Sequence, residues 1–130
     1  MSGRILYIED NEQNLYLVTF LLETNGYEVL QAREGQEGIG IAARSSLDLI
    51  LLDIQLPIMD GYAVARRLRT NSSLGNVPIV ALTSFAMAGD RERAIEAGCN
   101  GYIEKPINPD TFMAQVVHYL QAVPDRGKIT

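Results

Sequence analysis

Four separated stretches each place a polar or charged group where an apolar run ends: Glu9-Asp10, Asp53, Thr83-Ser84 and Lys105-Pro106. In a parallel α/β sheet the carboxyl ends of the strands open onto one edge, so groups remote in sequence converge there. Acids gathered in this way repel, by about 4 kcal/mol per pair at about 4 Å and an effective dielectric near 20. A divalent cation relieves that repulsion. Carboxylate oxygens with no Cys or His among them suit Mg²⁺, with Mn²⁺ as the alternative, over zinc. The ion would in turn hold an anion, and a lysine ammonium and a hydroxyl from the other strands make a phosphoryl group the simplest occupant. Taken singly, each feature has a plainer meaning. An acidic pair after a strand suits the positive end of a helix dipole, a strand-end threonine is ordinary β propensity, and Lys105 is a surface lysine.

The elements that must position these groups are written in the apolar runs. Ile5-Leu6-Tyr7-Ile8, Leu49-Ile50-Leu51-Leu52 and Val77-Pro78-Ile79-Val80-Ala81-Leu82 are rich in branched aliphatics and lack alternation, as strands buried on both faces do. Tyr27-Glu28-Val29-Leu30 alternates in part, as an outer strand does, and Gly101-Tyr102-Ile103 is a short run before Lys105. Between them Leu15, Val18 and Leu22, and later Phe112, Val116 and Leu120, repeat at helical spacing. Asn25-Gly26 and Ala97-Gly98 supply glycine for left-handed helix ends, and Asn108-Pro109 offers a cap followed by proline at the first helical position. The β-α unit recurs five times, which predicts right-handed crossovers and an α/β fold: an open, doubly wound parallel sheet of five strands. The site then lies at the switch point between the first and third strands, which Glu9-Asp10 and Asp53 follow.

At 130 residues and 47% hydrophobic composition the chain has room for one core, assigned to residues 1–122, with 123–130 a short polar C-terminal tail. Sixteen acidic against eleven basic side chains give a net charge of −5 without a basic run, which argues against nucleic acid as a partner. No apolar stretch approaches membrane-spanning length and no leader precedes the first strand, so a cytoplasmic protein without membrane contact is expected. Cys99 stands alone, which excludes an internal disulfide and favours a structural thiol.

The segments Ile8-Glu9-Asp10-Asn11, Leu52-Asp53-Ile54-Gln55-Leu56-Pro57-Ile58-Met59-Asp60-Gly61, Ala81-Leu82-Thr83-Ser84, Gly98-Cys99-Asn100-Gly101-Tyr102 and Lys105-Pro106-Ile107 together resemble the receiver domain of bacterial two-component response regulators, over residues 4 to 121. The resemblance implies the flavodoxin-like strand order 2-1-3-4-5. It implies Asp53 as phosphoacceptor, a carboxylate nucleophile that forms an aspartyl phosphate. Glu9, Asp10, Asp53 and the Gln55 backbone carbonyl would hold Mg²⁺, with Asp10 a direct ligand and Glu9 acting through water. Lys105 would pair with the carboxylates and then with a phosphoryl oxygen, and Pro106 would be cis. Thr83 would donate its hydroxyl to the phosphoryl group and Tyr102 would follow it as an aromatic switch, although an aromatic there also suits the core. Gln55 and Phe85 occupy positions that tune hydrolysis in the family.

The implied partners are a sensor histidine kinase or histidine phosphotransferase as donor and a separate downstream effector, as for a stand-alone regulator. The chain's single histidine, His118, sits in the last helical segment and is expected to face solvent or an interface. Three rival functions fit these residues less well. A haloacid-dehalogenase-type phosphatase needs a second acid two residues after its nucleophile, where this chain has Gln55. A flavodoxin-like flavin binder needs a Ser/Thr/Gly-rich loop where Glu9-Asp10 sits. A structural adaptor has no use for Asp10, Asp53, Thr83 and Lys105 together.

Overall fold

The computed structural model describes residues 3–84 and 89–121. The central strands form where aliphatic residues leave no polar face: β1 (Arg4–Ile8), β3 (Leu49–Asp53) and β4 (Ile79–Thr83), flanked by β2 (Glu28–Ala32) and β5 (Gly101–Glu104). Helices α1 (Glu12–Thr24), α2 (Gly35–Ala43), α3 (Gly61–Arg69), α4 (Asp90–Glu96) and α5 (Pro109–Gln121) alternate with them, and a single 3₁₀ turn (Ser72–Leu74) precedes β4. All pairings are parallel and the order is β2-β1-β3-β4-β5, as expected.

Side chains alternate across the sheet, so each strand feeds two cores. Leu6, Ile8, Ile50, Leu52, Ile79 and Ala81 pack with Val64 and Leu68 of α3 on one face. Ile5, Tyr7, Leu49, Leu51, Val80 and Leu82 pack on the other with Leu15, Val18 and Leu22 of α1 and Phe112 and Val116 of α5. The helix signals act as read: Gly26 and Gly98 adopt φ of 93° and 109°, and Asn108 accepts the Asp110 N–H at 2.9 Å.

Two strands are displaced from their sequence assignments. β2 begins and ends later than Tyr27–Leu30, because its register is set by pairing with β1, from Arg4 opposite Glu28 to Ile8 opposite Ala32. β4 starts at Ile79 and not Val77; Pro78 lacks an N–H and meets β3 only through its carbonyl, which accepts from Ile50 at 2.9 Å. Cys99 is buried, and burial pushes its thiol up to about 11 against the opposing pull of Arg69, which suits a structural role. Among the described residues no helix is long and apolar enough to cross a membrane. The tail at 123–130 and Phe85 lie outside the described residues.

Candidate functional site

Register alone brings the acids together. Ile8 lies opposite Leu52, so Glu9 emerges beside Asp53, the last residue of β3. Thr83 closes β4 opposite Glu104, and the Lys105 N–H donates to the Thr83 carbonyl at 2.8 Å, which carries the lysine to the same edge. Asn11 caps α1 by accepting the Asn14 N–H at 2.9 Å, and Asp10 sits in the turn between β1 and that cap. Gly61 begins α3 against the back of the site. A Cβ there would lie 2.5 Å from the Ile54 Cα and 2.7 Å from the Asp53 carbonyl oxygen, so only glycine permits this approach. In the loop between, Ile58 takes φ 69° as the Met59 N–H donates to the Pro57 carbonyl at 2.7 Å, a strained tight turn.

Glu9 and Asp53 are 0% and 2% exposed, whereas Asp10 is exposed. Each of the three offers a carboxylate oxygen within 4.8 Å of the others'. The Lys105 ammonium lies 2.9 Å from Glu9 Oε1 and 3.3 Å from Asp53 Oδ1, with its side chain only 10% exposed. The Gln55 N–H donates to Asp53 Oδ1 at 2.9 Å, the Asn11 N–H to Glu9 Oε2 at 3.2 Å, and the Tyr7 hydroxyl to Glu9 Oε1 at 2.8 Å.

Burial, then the hydrogen bond and charge of Glu9, push the Asp53 carboxyl up to about 7 against the Gln55 N–H and Lys105. Burial acts the same way on Glu9 but is outweighed by its bonds to Asp53, Lys105 and Tyr7, which hold it below the usual carboxylate range. Of the pair, Glu9 is the stronger acid and Asp53 the weaker. Burial and the charge of Glu9 raise the Tyr7 phenol, so it stays neutral and donates. Three carboxylates and one ammonium, with neither imidazole nor thiolate among them, fit a hard divalent cation of the Mg²⁺ class.

Of the residues singled out in the sequence, Glu9, Asp10, Asp53 and Lys105 meet, Thr83 is buried on the adjoining strand, and Gln55 adjoins Asp53 through its backbone. The Lys105–Pro106 peptide is cis, as the resemblance implies. Tyr102 sits further back, opposite Ala81, half-buried against the α3 side of the sheet with the Arg91 guanidinium 5.8 Å from its ring centroid. His118 is exposed on α5, edge-on to Tyr119. Tyr7 was missed as a site residue. Its signal was a hydroxyl inside an aliphatic strand two residues before Glu9, hence on the same face.

The model of the response regulator receiver domain family matches residues 5–117. The polar-differentiation response regulators DivK of Brucella ovis and Brucella suis are 41% identical over 120 residues, spanning 92% of this chain and 98% of theirs. The receiver domain of the Pseudomonas aeruginosa sensor histidine kinase PA1611, solved with magnesium coordinated in its active-site cleft, superposes with a TM-score of 0.85 at 34% identity, covering 94% of this chain and 100% of that one. The chemotaxis response regulator CheY4 of Vibrio cholerae gives 0.87 at 26% identity, covering 92% and 99%. With the strand order and the acidic edge already in place, these likenesses settle the family: the chain belongs to the response regulator receiver domains, the signalling switches of two-component systems.

Proposed function

We propose that the chain takes a phosphoryl group onto Asp53 from a phosphohistidine on a partner protein, and that the modified site changes what the surface binds. The observation that carries this reading is a carboxylate only 2% exposed at the end of β3, faced by Glu9, Asp10 and Lys105. An Asp53 oxygen attacks phosphorus, the P–O bond forms as the P–N bond breaks, and the electron pair of that bond returns to the leaving imidazole. Asp53 attacks as the carboxylate. Glu9, Asp10, Asp53 and the Gln55 carbonyl are the residues that would hold Mg²⁺, or Mn²⁺ in its place. When bound, the ion neutralises charge on the transferring group.

Lys105 exchanges its contact with Asp53 for a phosphoryl oxygen, and the Thr83 hydroxyl donates to another. The new group adds roughly −1.5 to −2 charge to a site that is already acidic, so its hydrogen bonds rearrange, with Thr83 and Tyr102 as the movers. The donor is a sensor histidine kinase or histidine phosphotransferase, the reader is a separate effector protein, and the setting is the cytoplasm. The family and the relatives named DivK support a donor and a reader of these kinds. Incubation with Mg²⁺ and acetyl phosphate should add one phosphoryl mass to the intact protein, and Asp53→Asn should add none. An unchanged wild-type mass, or equal uptake by the variant, would overturn the assignment.

A further inference from the structure

In β1, β3 and β4 every residue between the first and the last is aliphatic except Tyr7. A buried hydroxyl costs free energy unless it is hydrogen-bonded, and phenylalanine would fill the same space without that cost. Tyr7 is 0% exposed, and its hydroxyl donates to Glu9 Oε1 at 2.8 Å. That oxygen also receives the Lys105 ammonium at 2.9 Å, while the Asn11 N–H holds Oε2 at 3.2 Å. Two donors on Oε1 and one on Oε2 hold both oxygens of one carboxylate.

The donors are not equivalent. Lys105 is shared with Asp53 at 3.3 Å, and in the mechanism above it follows the phosphoryl group. Tyr7 belongs to β1, in the same apolar layer as Leu15, Val18 and Leu22 of α1, and its hydroxyl is hydrogen-bonded to Glu9. We propose that Tyr7 is a positioning residue of the cation site, which holds Glu9 oriented toward the incoming ion whether or not Lys105 is engaged elsewhere. The inference rests on the proposed cation site and adds to it a group that touches neither ion nor phosphate. Outer partners of this kind typically contribute tenfold or more to metal affinity.

The test is Mg²⁺ binding by isothermal calorimetry on the full chain without any phosphodonor, for the parent, Tyr7→Phe, Glu9→Gln, the double variant and Val18→Ala. Tyr7→Phe should weaken Mg²⁺ by about tenfold, while circular dichroism and the urea midpoint show the fold retained. In the Glu9→Gln background the same substitution should change affinity less than about twofold, because the group that Tyr7 acts through is gone. Val18→Ala loosens the same apolar layer and should leave affinity within about twofold of the parent. Tyr7→Phe binding like the parent, an equal loss in the Glu9→Gln background, or an equal loss in Val18→Ala would each overturn the role of Tyr7 alone. A parent that binds no Mg²⁺ would overturn both the role and the cation site beneath it.

Discussion

At the amino end of β1, Arg4 pairs with Glu28 at 3.1 Å, with side chains 41% and 57% exposed; beyond its carboxyl end, Glu9 pairs with Lys105 at 2.9 Å, with side chains 1% and 10% exposed. The partners are chemically alike, and the solvent around them is not. Water screens the first pair, so it contributes between nothing and about 1 kcal/mol. The second has been stripped of water, and the attraction it gains is offset by the desolvation of both charges. Asp53 deepens that cost by adding a second acid to the same ammonium. A fold selected for stability alone would fill this edge with aliphatic side chains, as it fills the strands below it. The difference teaches that the carboxyl edge is a place where stability is given up to keep charge in position, while the amino edge is ordinary surface.

Lys105→Met should separate the two ends most sharply. It leaves Glu9 without its ammonium, and urea denaturation in Mg²⁺-free buffer should show a loss of about 3 kcal/mol. A loss below about 1 kcal/mol would place this pair with the exposed one.

Protons and metal compete next. The Asp53 carboxyl is raised from 3.8 to about 7, so it binds its proton more tightly in the folded state; its contribution to metal-free stability is complete below about 3.8 and is lost as pH rises through about 7. Glu9 runs the other way: lowered below 4.5, it contributes above that value and loses its contribution as pH falls through its folded-state pKa. Metal binding must displace the Asp53 proton, so apparent Mg²⁺ affinity should fall about tenfold from pH 8 to pH 6. A flat calorimetric profile across that range would mean that Asp53 is already ionised.

The smallest effect belongs to the amino end. Arg4→Gln should cost less than about 1 kcal/mol, and the difference should shrink further in concentrated salt. A salt-insensitive loss above about 2 kcal/mol would erase the contrast.

The carboxyl edge was readable because buried strands are aliphatic runs, and the first polar residue after each run must surface at the same edge. That logic places Glu9, Asp53 and Thr83 without any contact information, whereas Lys105 stands one residue further on, behind Glu104. It fails where an element's position is decided by its neighbour. β2 is an edge strand whose partial alternation fits more than one register, and only its ladder with β1 fixes residues 28–32. Tyr7 reads as a core residue because it lies in a buried strand, and its side chain's hydrogen bond to Glu9 is seen in the structure. Arg69 is similar, with its Nε donating to the Gly98 carbonyl at 2.9 Å and its Nη2 to Asn100 Oδ1 at 2.6 Å, partners about thirty positions away that no local pattern announces.

Reduction of the acetyl-phosphate-treated protein with borohydride, followed by peptide mapping, addresses the phosphoacceptor directly, since an aspartyl phosphate is converted to homoserine and a free carboxylate is not. The account predicts homoserine at position 53, dependent on Mg²⁺. Homoserine at position 10 or another acid, or at none, would contradict it.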